Sequence, residues 1–187
     1  MTASLSPAQS AIHLNHGGLL AYPTEAVWGL GCNPFDESAV RDLFALKSRD
    51  TNKGVILLFP SRAALLPYLT QASELNSIEE NPLRPTTYIV NVNQRIPASV
   101  KGEHQRLAIR ICQQPNVQAI LEKINYPLVS TSLNPQGLQA AKYNFQVQRY
   151  FSRALQNGDL AISKGSVGNA LKPSRIFDIQ QQTIIRD

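Results

Sequence analysis

A chain of 187 residues, 43% hydrophobic and 17% charged, holds enough apolar material for one core and too little length for two ordinary domains. No apolar run approaches the ~20 residues of a membrane span, and Met1-Thr2-Ala3-Ser4-Leu5 has neither part of a signal peptide, so one cytoplasmic domain over residues 1–187 with no membrane partner is expected. The net charge of +5 is uneven: residues 1–100 hold 7 Lys+Arg against 8 Asp+Glu, residues 101–187 hold 11 against 5.

Ser6-Pro7-Ala8-Gln9 is a capping box with proline at the first helical position, and Gly17-Gly18 closes the helix it opens. Residues 20–60 then read strand, turn, helix, turn, strand. The first strand, Leu19 to Tyr22, leaves through Pro23 and passes Gly29 and Gly31, which are expected to form a turn that brings main-chain N–H groups close to a ligand. Asp36 caps a helix whose apolar positions Val40, Leu43 and Phe44 form a buried stripe. Lys47 falls on the next step of that stripe, where an ammonium costs free energy unless it meets a polar partner or water. Arg49 follows the helix end, and the apolar run 54–59 suits the interior of a sheet covered on both faces.

Residues 61–69 read as a short helix, 70–84 as a polar surface connection, and 86–92 as a strand. In the strand 106–111, Leu107, Ile109 and Ile111 alternate with Arg106, Ala108 and Arg110, so two arginines share a face. Pro115 starts a helix with Val117, Ile120, Leu121 and Ile124 at helical spacing, and 127–132 is a strand that ends in hydroxyls. Residues 145–157 read as one amphipathic helix stopped by Gly158, followed by short strands at 159–163, 175–179 and 182–186. Strands 86–92 and 106–111 lie too close for a crossover helix, so the sheet is expected to mix parallel and antiparallel pairs.

Cys32 and Cys112 have no C-x-x-C context and His13, His16 and His104 no ligand spacing, which predicts two reduced, buried thiols and no protein-ligated metal. There is no G-x-x-x-x-G-K-[ST] loop, no G-x-S-x-G elbow, and proline stands where a dinucleotide fingerprint needs its third glycine. What remains is Thr24, Lys47, Arg49, Lys53, Thr87, Arg110, Ser130, Thr131, Ser132 and Asn134, with Glu25 as one candidate acid. Donors and positive charge without a nucleophile suit anionic substrates that react with each other, as in phosphoryl or nucleotidyl transfer. Arg110 could instead pair with a structural carboxylate. The cations Lys142, Arg149, Arg153, Lys164, Lys172 and Arg175 make either a polyanion surface or an ordinary solvated face.

Tyr22-Pro23-Thr24-Glu25-Ala26-Val27-Trp28-Gly29-Leu30-Gly31, with Lys47-Ser48-Arg49, Lys53-Gly54, Ser130-Thr131-Ser132-Leu133-Asn134 and Pro173-Ser174-Arg175-Ile176-Phe177-Asp178, resembles the YrdC/TsaC family of threonylcarbamoyl-AMP synthases over nearly the whole chain. The resemblance implies an α/β class protein, a single YrdC-like domain with a twisted mixed parallel/antiparallel sheet, flanking helices and a basic concave face. It implies formation of L-threonylcarbamoyladenylate from L-threonine, bicarbonate and ATP, with Mg2+ accompanying ATP and pyrophosphate released, as the first step of tRNA threonylcarbamoyladenosine modification. By the same resemblance Lys47 and Arg49 are the catalytic pair at the phosphates. Thr24, Thr87, Arg110 and Ser132 hold threonine, and Lys53, Ser130, Asn134 and Ser174 join Lys47 and Arg49 around the nucleotide. Downstream tRNA-modification enzymes are implied partners, and tRNA or double-stranded RNA is a further candidate ligand. The chain departs from the family pattern at Asp50, at Pro82-Leu83-Arg84-Pro85 and at Gln136. The alternative is a YrdC-like RNA-binding module without catalysis, in which Lys142, Arg149, Arg153, Lys164 and Lys172 hold RNA phosphates, whereas in a synthase they are expected to lend positive potential to the nucleotide pocket; an ATP hydrolase or ribosome-assembly factor on the same fold rests on the charge pattern alone.

Overall fold

The computed structural model describes residues 3–50, 54–80 and 84–187. Its first helix, α1 (Pro7–Asn15), begins as its residues dictate: Ser6 Oγ accepts from Gln9 N and Gln9 Oε1 accepts from Ser6 N. Strand β1 (Leu19–Pro23) follows, and then a strand absent from the sequence reading, β2 (Trp28–Gly31), which pairs antiparallel with β1. Gly29 and Gly31 therefore belong to a strand, and the turn lies at residues 24–27. Their lack of a side chain serves close packing: a Cβ on Gly29 would come within 2.8 Å of the Tyr22 ring, and one on Gly31 would collide with the Val129 carbonyl oxygen.

Helix α2 (Glu37–Lys47) starts where Asp36 Oδ1 accepts from Ser38 N and Ala39 N, both at 3.0 Å, and ends at Ser48, in the left-handed region at φ 49°. After β3 (Ile56–Phe59) come α3 (Arg62–Leu65) and a 3₁₀ turn, Leu66–Tyr68, in place of one continuous helix. Another 3₁₀ segment, Ala72–Ser77, structures the expected surface connection. The order continues β4 (Thr86–Asn91), α4 (Ala98–Lys101), β5 (Arg106–Ile111), α5 (Pro115–Leu121) and β6 (Leu128–Ser132). The helix expected over 145–157 is two, α6 (Asn144–Tyr150) and α7 (Ser152–Asn157), broken at Phe151, with Tyr150 and Phe151 both packed on the core. Strands β7 (Leu160–Ile162), β8 (Arg175–Asp178) and β9 (Thr183–Arg186) close the chain.

Among the described residues nine strands form one sheet in the order β7-β1-β2-β6-β3-β5-β4-β8-β9. Pairs β1·β7, β3·β5 and β4·β8 are parallel and the rest antiparallel, as the short connections require. In β1 and β3 alternation sends the two sides of the strand into different cores. Leu19, Ala21, Leu57, Leu107 and Ile109 pack with Val40, Leu43 and Phe44 of α2 and Val147 and Leu155 of α6 and α7. Leu20, Tyr22, Leu58 and Leu128 pack on the other face with Leu14 of α1 and Val117, Ile120 and Leu121 of α5. Helices α1 and α5 cover only part of that second face.

Candidate active site

The uncovered part of the second face carries Ile56 of β3, Arg106, Ala108 and Arg110 of β5, and Ser130 and Ser132 of β6, and these floor a cavity of about 920 Å³. That volume falls at the upper end of the ~300–1,000 Å³ typical of small-ligand sites. The 24–29 bend, Arg49, Gly54, the 103–105 loop, Ser174 and Arg186 form its walls. Arg49, Lys101, Arg106, Arg110 and Arg186 face three carboxylates, Glu25, Glu103 and Asp178, so the hollow is cationic. The cations expected to supply its potential do not: Lys142, Arg149, Arg153, Lys164 and Lys172 are exposed and none lines it. Arg149 and Arg153 ride on helices whose apolar side, Val147, Phe151, Ala154 and Leu155, is spent on the opposite core.

Lys47 is buried at the end of the α2 stripe, and its Nζ donates to Ser132 O and, at 3.2 Å, to Asn134 Oδ1. It stands behind Ser132 and Asn134, which themselves line the cavity. Burial, with the neighbouring Arg49 charge, brings its pKa down to about 8. Arg49 lines the cavity and donates to Gly54 O at 3.0 Å, while its Nε is buried without a hydrogen-bond partner among the described residues. Lys53 lies outside the described residues.

Thr24 is buried at the bend, its hydroxyl donating to Val27 O at 2.7 Å. Arg110 Nη2 sits 3.5 Å from Glu25 Oε2, the structural pairing that the sequence left open. Burial alone would raise the Glu25 pKa, but Arg110 and the Gln113 N–H, 3.0 Å from Oε1, hold it below the ordinary carboxylate value. Glu25 is thus an ionised partner, and its candidacy as an acid is withdrawn. Thr87 does not reach the cavity surface: its Oγ1 lies 2.8 Å from Ser174 Oγ, which does. Arg186, which the sequence reading missed, donates to Ser174 O through Nε at 3.1 Å and Nη2 at 2.7 Å. Thr24, Arg49, Arg110, Ser130, Ser132, Asn134 and Ser174 therefore surround one space, with Lys47 and Thr87 immediately behind it. Among the described residues no group of three or more His, Cys, Asp or Glu could hold a metal, and no helix is long and apolar enough to cross a membrane.

Fold and hollow together define a mixed α/β protein with a cationic cleft fitted to an anionic small molecule. The chain belongs to the Sua5/YciO/YrdC family, whose model, described as "Telomere recombination", matches residues 13–187. It is 43% identical over 166 residues to the threonylcarbamoyl-AMP synthase of Marinobacter nauticus, covering 87% of this chain and 85% of that protein. It is 37% identical over 187 residues to that of Cellvibrio japonicus, covering 98% and 97%. Among solved structures, E. coli YciO superposes with a TM-score of 0.80 at 22% identity over 97% of this chain and 88% of that one. P. abyssi Sua5 in complex with L-threonine gives 0.80 at 23% identity over 95% of this chain, which spans about half (52%) of that protein. At such identities the two structures speak for the fold.

Proposed function

We propose that the chain is a threonylcarbamoyl-AMP synthase acting as one YrdC-like domain over residues 1–187. It joins L-threonine, bicarbonate and ATP into L-threonylcarbamoyladenylate, releasing pyrophosphate and water. The observation that carries this reading is the gathering of Thr24, Arg49, Arg110, Ser130, Ser132, Asn134 and Ser174, drawn from distant parts of the chain, around one cationic cavity. Relatives of nearly equal length bear that activity in their names.

The set has donors and charge but no activated nucleophile, which suits a reaction whose nucleophile is the substrate itself. The carbamate formed from threonine and bicarbonate attacks the α-phosphorus, and pyrophosphate leaves in line. The chain's part is to hold the reactants together and to neutralise the charge that spreads over the phosphates. Arg49 contacts the phosphates and Lys47 adds its charge through the wall formed by Ser132 and Asn134. Thr24 and Ser132 enclose the threonine side chain, Arg110 and, behind the wall, Thr87 support it, and Ser130, Asn134 and Ser174 complete the nucleotide contacts. Mg2+ enters with ATP as part of the substrate. The protein works in the cytoplasm and its adenylate passes to downstream tRNA-modification enzymes.

Incubation with the three substrates, followed by mass spectrometry, tests the reading: a product at the mass of threonylcarbamoyladenylate that disappears without threonine or bicarbonate supports it, and ADP formation independent of threonine contradicts it. The second reading, a YrdC-like RNA-binding module without catalysis, has one observation on its side, the exposure of Lys142, Arg149, Arg153, Lys164 and Lys172 away from the cavity, and is ranked below the synthase.

A further inference from the structure

Strand β5 places two arginines on the cavity floor, their backbone positions four residues and roughly 13 Å apart along the strand. They are held differently. Arg110 is itself buried and turned toward Glu25, whereas the Arg106 side chain stays 25% exposed and lines the cavity beside its ion pair. Its Nη1 is 2.5 Å from Asp178 Oδ1, and Asp178 is 1% exposed. The same Oδ1 accepts from Gln180 N at 3.0 Å and Gln181 N at 3.1 Å, so the carboxylate is pinned by the β8–β9 turn and fixes Arg106 from one side.

Arg106 is also not isolated. Ile56 pairs with Ala108; Arg106 stands two residues earlier on β5, and Gly54 lies in the segment that leads into β3. Gly54 O accepts from Arg49, and a Cβ on Gly54 would sit 2.7 Å from Lys101 O. Arg49, Lys101 and Arg106 all line the cavity. The cations on this lining, Arg49, Lys101, Arg106, Arg110 and Arg186, outnumber the carboxylates Glu25, Glu103 and Asp178, a balance that suits an anion of several charges. A guanidinium anchored through Nη1, with no other hydrogen bond among the described residues, is prepared for two-point contact with phosphate oxygens.

We propose that Arg106 is a further polyphosphate-binding residue, which with Arg49 and Lys101 takes the part of ATP that leaves as pyrophosphate. The inference deepens, and rests on, the ATP-dependent reading above. It gives Asp178 the role of positioning Arg106.

Isothermal titration with inorganic pyrophosphate, ATP, AMP and L-threonine tests it on the full chain. Arg106→Gln is expected to weaken pyrophosphate and ATP binding by about 10-fold or more and leave AMP and threonine within about 2-fold, because a lost charged hydrogen bond is worth about that much. Arg106→Lys, which keeps the charge without the fork, should fall between. Since Arg106→Gln leaves Asp178 without its counter-charge, the double variant Arg106→Gln/Asp178→Asn is measured beside it; the amide introduced by the second change would still accept from the turn N–H groups, and the double variant should show the same pyrophosphate defect. Unchanged pyrophosphate affinity in the folded variants, a defect confined to threonine, or no pyrophosphate binding by the wild type would each overturn the proposal. Pyrophosphate binding that depends on Arg106 in a protein with no threonine-dependent turnover would uphold this inference and sink the synthase reading instead, so the two fail separately.

Discussion

Arg110 Nη2 lies 3.5 Å from Glu25 Oε2, and this contact joins β5 to the bend between β1 and β2 across the base of the cavity. Both side chains are about nine-tenths buried. Removing one partner strands the other charge, so Glu25→Gln is expected to cost about 3 kcal/mol of stability. The pH dependence has a definite sign. A carboxyl held below its ordinary value of 4.5 contributes stability above that pH and loses it as pH falls through the lower folded value. Urea unfolding between pH 3 and 7 should show a shallower acid limb in Glu25→Gln than in the wild type; parallel limbs would remove Glu25 from the stabilising set.

Lys47 gives the same sign in a higher pH window, because there the charged form is the costly one. Its pKa of about 8 against 10.5 unfolded means that the cost of its buried charge is fully present below about pH 8 and fades as pH rises toward 10.5. Over that window its contribution to stability rises while its charge is lost, so ATP affinity should weaken between pH 7.5 and 9.5 without any loss of melting temperature. Replacing Lys47 or Arg49 by Ala should lower adenylate formation by about 10²-fold or more. Near wild-type turnover in a folded Lys47→Ala protein would dismiss the assignment.

The threonine pocket proposed between Thr24 and Ser132 makes a prediction about selectivity. A site that hydrogen-bonds the substrate hydroxyl leaves polar groups unpaired when valine enters, whereas serine lacks only a methyl and should compete within roughly 10- to 200-fold. Calorimetric titration with the three amino acids decides between this pocket and a purely apolar one, in which valine would bind as well as threonine.

Much of this was legible in the residues. Asp36 and the 40-43-44-47 stripe deliver Lys47 to the rim of the sheet because capping and period are local, and the alternation in β5 shows Arg106 and Arg110 on one face. Strand β2 was hidden because Gly29 and Gly31 read as turn residues; what they answer to is the Tyr22 ring and the Val129 carbonyl, distant in the chain. Partners of the arginines were hidden for the same reason, since Glu25 and Asp178 meet them only through the strand order. Arg186 had no local signal, being one charge in an exposed final strand. The basic run from Lys142 to Lys172 misled because sequence gives charge density and not direction.

Those outward cations carry their own test. If they hold RNA phosphates, tRNA affinity should fall steeply with salt, because each neutralised phosphate releases condensed counterions, while ATP affinity, set by partly buried groups, changes less. Fluorescence anisotropy of labelled tRNA from 50 to 300 mM salt is expected to show weak binding. Tight, salt-sensitive binding without threonine-dependent turnover would favour the RNA-binding module.

The most direct test of the synthase reading is ATP–pyrophosphate exchange measured with threonine and bicarbonate present together and each omitted in turn. Exchange that requires both, and that collapses in Arg49→Ala, is the predicted result. Exchange that continues without threonine, or none at all in a folded protein that binds ATP, would contradict the account.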